Sequence, residues 1–230
     1  MTTSRRKRLL ALTGTLLLVL PISAIAANWQ WNRHLAREAR NLQIAQADAS
    51  EAIAYPGPLQ DGYDDADRFR RLVVSGTWIP SEQLFVRKQV VNGSVGFGVV
   101  TPFMSDTGDV LFVQRGWSAE PNADQPESTV VTITVRVQAV QPSGPMRPSD
   151  LPPGQVNWID PTELAAGKPH ADAVFDLIDP TDGTLVAIPA PEQSSGPHVG
   201  YTIHWILIGI AAVIIYVRLV RSEIYGVDEN

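Results

Sequence analysis

The sequence contains no cysteine among its 230 residues. Disulfides, thiolate metal sites and thiol redox chemistry are therefore excluded, and any folded part must rest on its own core. Three methionines and four histidines leave few soft ligands for a copper-carrying role. Enzyme signatures are missing as well: there is no G-x-S-x-G, no H-E-x-x-H and no glycine-rich phosphate loop. Asn92-Gly93-Ser94-Val95-Gly96 is only superficially like a serine motif, and a hairpin turn accounts for it better. An enzyme is not expected. Positive charge is scarce in the middle of the chain, where residues 28–200 hold 12 Lys and Arg against 21 Asp and Glu, a net of −9. Such an acidic stretch is a poor partner for nucleic acid or for anionic lipid headgroups.

What the chain does have is a pair of apolar runs, one near each end. Residues 9–27 form an almost unbroken run behind Arg5, Arg6, Lys7 and Arg8, and residues 203–220 form a second, followed by Arg221. At ~1.5 Å per helical residue, each can cross a hydrocarbon core of ~30 Å. Basic residues flank the outer end of both runs, so the positive-inside rule puts both termini in the cytoplasm. The expected division is a basic cytoplasmic tip (1–8), a transmembrane helix (9–27), an extracytoplasmic domain (28–197), a second transmembrane helix (198–220) and a short acidic cytoplasmic tail (221–230). The protein is expected in the cell membrane, in contact with lipid. A rival reading exists: Ser23-Ala24-Ile25-Ala26-Ala27 contains a small-residue cleavage pattern, and a removed signal peptide would leave only the second anchor.

Between the runs, composition separates helix from sheet. Residues 28–54 lack Gly and Pro and are rich in Ala, Arg, Glu, Gln and Leu, so the first helix is expected to continue beyond the membrane. Residues 55–67, with three prolines or glycines at 56–58 and four Asp, read as a loop. Strands are expected around 72–79, 83–91, 95–103, 110–117, 130–140, 173–178 and 184–188. Asn92-Gly93 is the turn of a hairpin, and 130–140 alternates Val/Ile with Thr, Arg and Gln. Asp160-Pro161-Thr162-Glu163 reads as a helix start, with Asp as N-cap and Pro first inside, and Gly167 as its stop. Residues 142–153 form a proline-rich loop. The fold class is a mainly β domain, an antiparallel sheet or barrel-like closure, between two transmembrane α-helices.

Six local patterns occur in order along the chain: Trp29-Gln30 with Arg33; Phe69-Arg70-Arg71-Leu72-Val73-Val74-Ser75-Gly76-Thr77-Trp78; Gly96 to Pro102; Val110-Leu111-Phe112-Val113-Gln114-Arg115-Gly116-Trp117; Asn157-Trp158 with Asp160; and His198, Tyr201 and Trp205 at the second apolar run. Together they resemble the surfeit locus protein family of cytochrome c oxidase assembly factors. Phe69 stands where that family usually has Tyr, and Gln114 where it usually has Asn. The resemblance implies a role in maturing a haem-copper oxidase, with transient handling of haem a and delivery to the catalytic subunit. The alternative is a stable accessory or scaffold subunit of a respiratory complex or supercomplex without haem contact. An anchored sensory module is a third class, which would show no oxidase phenotype.

Candidate site residues follow from helix geometry and from this resemblance. Positions 198, 201 and 205 are three and four apart and share one helical face. His198 is the candidate iron ligand, since neutral imidazole suits haem, with Tyr201 and Trp205 as candidate stacking partners. The plainer account is that aromatic and polar residues collect at a membrane boundary anyway. Arg33 is a candidate partner for a haem propionate, with a solvated juxtamembrane Arg as the plain alternative. His204 lies deeper and on another face, which makes it a functional candidate or a simply hydrogen-bonded histidine. Trp29 and Trp31 read as interfacial anchors. Arg70, Arg71, Arg115, Gly116 and Trp117 read first as fold-supporting residues, with Gly116 permitting a bulge. His170, Asp172 and Asp176 could meet a cation, but loop acids of this kind are ordinarily solvated.

Overall fold

The computed structural model describes residues 3–142, 145–147 and 150–225. Residues 1–2 of the basic tip, 143–144 and 148–149 of the proline-rich loop, and 226–230 of the acidic tail lie outside the described residues. The chain divides into two compact units. One is built from the chain up to Leu42 together with everything from Gln193 onward, and the other is Gln43–Glu192.

The helical unit is an antiparallel pair. Helix α1 runs Thr3–Ala49 without a break, so the first apolar run and the expected juxtamembrane helix are one element. Pro21 sits inside it, which transmembrane helices tolerate. The last helix, α3, runs His198–Tyr225. Three contacts fix their register: Arg8 with Glu223 at 3.3 Å, Thr13 with Tyr216 at 3.1 Å, and Ser23 against Gly209. Within the most apolar stretch of each helix only 6 % is buried. Leu17, Leu18, Ile25, Leu207 and Ile214 all face outward. An apolar surface of this extent is what hydrocarbon would cover. Two helices long and apolar enough to cross a membrane thus flank the β domain in sequence.

The second unit is a β-barrel with attachments. Its strands are β1 (Ile53–Ala54), β2 (Arg71–Trp78), β3 (Leu84–Val91), β4 (Ser94–Ser105), β5 (Val110–Ser118), β6 (Val130–Gln138), β7 (Gln155–Val156) and β8 (His170–Asp179), with the one-turn helix α2 (Pro161–Leu164) ahead of β8. The sheet order is β1-β2-β6-β8-β5-β4-β3-β7, and a further β2–β4 pairing closes β2, β6, β8, β5 and β4 into a ring. Closure removes the exposed edges that an open sheet would present. The barrel is mostly antiparallel. Among the described residues three pairings are parallel: β5 with β8, and the short β1–β2 and β3–β7 contacts.

Gly76 makes the seam possible. A Cβ there would lie 2.0 Å from the Met104 carbonyl oxygen, so only glycine lets β2 meet β4. Inside the ring, Leu72, Val74, Trp78, Phe103, Leu111, Ile133, Val135 and Phe175 form the main core, with Trp78 edge-on to Phe103 at 4.9 Å. A second layer outside β4 and β5 packs Val100, Val110 and Phe112 under Met146, Val156, Ile159 and Ala165. That layer explains why these two strands read as continuous apolar runs rather than alternating ones.

Local expectations hold with adjustments. Asn92 and Gly93 both take positive φ, 51° and 78°, as a two-residue hairpin turn requires. Asp160 caps α2 through the amides of Thr162 and Glu163. Phe69 precedes the strand it was expected to open. It sits at φ 70° and packs with Ile44 and Ala47 of the last turns of α1. Arg71 donates to the carbonyls of Asp48 and Ser50, a cation at the end of α1 where the helix dipole favours it. The expected strand 184–188 is not formed. Only Val186 makes a bridge, to Trp117, because Asp182 draws Thr184 into a tight side-chain turn through its amide and hydroxyl.

Candidate functional site

The sequence patterns that carry His198 converge in the helical unit. One stripe of α1, with Ser23, Ala27, Gln30 and His34 at spacings of three and four, is less exposed than its neighbours. Against it, α3 turns His198, Thr202, Trp205 and Gly209. The His198 ring lies with Nδ1 2.8 Å from Gln30 Oε1. An amide oxygen only accepts, so Nδ1 donates in this contact, and Nε2 is left unengaged by it. Thr202 returns its hydroxyl to the His198 carbonyl at 3.0 Å, which satisfies a backbone acceptor in the first turn of α3.

Gly196 closes one side of the ring. Its φ is +61°, and a Cβ on it would sit 3.3 Å from His198 Cδ2 and 3.4 Å from the Arg37 guanidinium carbon. Arg37 therefore reaches the same corner as the imidazole, and it is a residue that sequence reasoning missed. Its signal was available: 30 and 37 are two helical turns apart on one face. Arg33 is exposed and lies over the Trp29 ring at 5.7 Å. Trp29 and Trp31 are exposed.

Beyond this polar corner the two helices form a groove of about 420 Å³, lined by Leu20, Ser23, Ala27, Trp205, Ile206 and Gly209 among others. Small residues open it, and the Ser23 hydroxyl is buried there without a partner among the described residues. Trp205 thus belongs to the groove wall. Tyr201, by contrast, is 52 % exposed, at the outer side of the stripe. His204 is exposed on another face. Chemically the corner offers one unengaged imidazole nitrogen and one guanidinium, and the apolar groove, which neither residue lines, lies farther along the same helix pair. That set suits a flat, apolar, metal-bearing molecule with an acidic edge.

The β unit holds a separate polar cavity of about 500 Å³, lined by Lys88, Gln89, Gln114, Gln138, Trp158 and Asp176 among others. Burial pushes the Asp176 carboxyl above its usual range, against the opposing effects of the Gln138 hydrogen bond at 2.8 Å and nearby Arg136. Asp176 is therefore not a solvated loop acid. His170 is 3.2 Å from Asp172 and 3.0 Å from the Lys168 carbonyl. Among the described residues, no group of three or more His, Asp or Glu side chains is arranged to hold a metal ion.

A second polar node pins loops to the barrel. Pairing of β4 with β5 slips between Val99 and Val100, so Arg115 is the extra residue of a bulge beside Gly116. The Arg115 side chain, 4 % exposed, ion-pairs with Asp182 and donates to Gln83 at 2.8 Å and to the Asp124 carbonyl at 3.0 Å. Burial alone would raise the Asp182 carboxyl. The Thr184 hydroxyl and amide, with Arg115, outweigh it and hold the group below the usual range. Trp117 is buried and donates its indole N–H to the Gln89 carbonyl at 3.0 Å.

Comparison with known proteins matches residues 17–210 to the SURF1 family. A SURF1-like protein of Mycobacterium tuberculosis is 29 % identical over 202 residues, covering 83 % of this chain and 74 % of the relative. A SURF1-like protein of Monosiga brevicollis is 24 % identical over 175 residues, 67 % of each chain. The cytochrome oxidase assembly protein SHY1 of Saccharomyces cerevisiae is 34 % identical over 53 residues, 23 % of this chain and 14 % of the yeast protein. With a match that takes in most of α1, the first half of α3 and the whole barrel between them, the chain belongs to the SURF1 family.

Proposed function

We propose that this protein is a membrane-anchored assembly factor for a haem-copper cytochrome oxidase, acting where a-type haem is handed to the catalytic subunit. Family membership, together with the yeast relative's being a cytochrome oxidase assembly protein, supports the oxidase. The observation that carries the haem step is the corner of α1 and α3. There, His198 has Nδ1 engaged by Gln30 and Nε2 unengaged, Arg37 reaches the same corner, and an apolar groove walled by Trp205 lies farther along the helix pair.

In this reading His198 offers Nε2 to the iron, and Trp205 with the small residues of the groove takes apolar parts of the macrocycle. Tyr201 covers its outer edge. Arg37 and Arg33, one turn apart on α1, pair with the carboxylates. The haem is cargo, and what it supplies is the redox iron of the recipient subunit. Exclusion of water by the groove keeps the cargo from aggregating while the partner docks on the exposed apolar helix faces. The basic tip stays cytoplasmic, and the barrel lies on the opposite side of the cell membrane.

The test is a reduced-minus-oxidised spectrum of membranes from a strain lacking the gene, from the complemented strain and from one carrying His198→Ala. Loss of the a-type signal in the deletion and in His198→Ala, with b and c haems retained, is the expected result. An unchanged a-type signal in the deletion strain refutes the assembly role. Loss in the deletion but not in His198→Ala removes the iron-ligand role and leaves an accessory or scaffold subunit.

A further inference from the structure

We propose that Gln30 is a positioning residue that holds His198 in the tautomer needed for metal ligation. The inference rests on the reading of His198 as a haem ligand and adds a second residue to it. A histidine can present a lone pair through either ring nitrogen, and the hydrogen bond made by one nitrogen decides which remains bare. Here the acceptor is a side-chain amide oxygen 2.8 Å from Nδ1. That contact requires hydrogen on Nδ1, and in the neutral ring the electron pair is then on Nε2. Among the described residues, Nε2 makes no hydrogen bond. Gly196 packs beside Cδ2, the carbon bonded to Nε2, and a Cβ added there would sit 3.3 Å from it. The ring is thus held at one nitrogen and left open at the other.

The acceptor's charge matters too. A neutral amide polarises Nδ1–H less than a carboxylate would, so the imidazole remains a moderate donor. That suits a carrier, which must release its cargo. Gln30 also ties α1 to α3 at their shared boundary. A purely structural role would end there, with no effect on ring chemistry.

Two readouts separate these roles in the full-length protein purified in detergent. The first needs no haem: ¹⁵N chemical shifts of the His198 ring nitrogens. The wild type is expected with Nδ1 protonated, and Gln30→Leu, which keeps bulk but lacks an acceptor, with population moved toward Nε2–H. The second is titration with ferric haem b and haem a, followed by absorbance and redox potentiometry. Gln30→Leu is expected to weaken binding roughly 10- to 100-fold, the usual loss on removing a ligand's hydrogen-bond partner. Gln30→Glu keeps an acceptor and adds charge, so binding is retained and the midpoint potential falls. If both variants match the wild type in tautomer, affinity and potential while His198→Ala abolishes binding, Gln30 does not position the ring and the His198 reading survives. If His198→Ala binds both haems like the wild type, the ligand reading falls and the inference with it.

Discussion

Removing the Asp182 carboxylate tests the physics of the barrel most directly. Arg115 is almost wholly buried and Asp182 is 16 % exposed, so Asp182→Ala leaves a buried guanidinium without its counter-charge. Breaking a buried pair on one side costs about 3–5 kcal/mol in general. Two features pull this case to the bottom of that range or below it: Gln83 and the Asp124 carbonyl still accept from Arg115, and Asp182 retains some solvent. The expected loss is about 2–3 kcal/mol. At roughly 2–4 °C per kcal/mol for a chain of this size, Tm falls by about 4–12 °C. Thermal and urea unfolding of the full chain in detergent would measure it. Adding Arg115→Met should recover part of the loss, since the stranded charge goes with it. The pH dependence has a fixed sign. The folded carboxyl lies below its unfolded value of ~3.9, so its contribution is fully present above that value and disappears as pH falls through the folded one. The gap between wild type and Asp182→Ala should hold from pH 7 to 5 and narrow below about 4. A loss under ~0.5 kcal/mol, or strict additivity in the double variant, would refute the reasoning.

Two further expectations come from the same unit. Asp176→Asn should raise Tm at pH 7–8 by a few degrees, because it removes a carboxyl whose charge burial opposes while keeping an acceptor for Gln138. The folded pKa is raised here, so the wild type loses stability as pH rises through it, and the advantage of the variant should vanish at pH 3–4; equal melting curves across that range would refute this. Gly76→Ala should cost about 3 kcal/mol or more, because the added Cβ meets backbone at 2.0 Å rather than a movable side chain. A circular-dichroism melt within 2 °C of wild type would show that the β2–β4 seam is not closed as described.

How much of this was legible in the sequence depends on the distance over which each feature is decided. The hairpin at Asn92-Gly93, the cap at Asp160 and the alternation of β6 are local, and the residues themselves dictate them. Barrel closure was foreseeable as a class, but its parallel β5–β8 contact was not. That pairing joins strands separated by β6, the proline-rich loop and α2, and nothing in either strand names its neighbour. Thr184 to Ile188 misled because β-branched residues outweighed the Asp182 side-chain turn that precedes them. Arg115 lay inside an apolar strand where the alternation gave no reason to bury a cation. The bulge that turns it inward exists only once β4 and β5 are paired.

The helical corner divides the same way. His198 and Trp205 could be set on one face by counting, and the structure keeps both toward α1. Counting along α3 alone says nothing of the opposite helix. Gln30 belonged to a recognised pattern without a role, and Arg37 to none, until the register fixed by Arg8–Glu223 and Thr13–Tyr216 brought them to the imidazole. A ligand read from one helix is a candidate nitrogen. Only its partner on the second helix determines which nitrogen is free, and for that reason the Gln30 variants discriminate more sharply than loss of the histidine does.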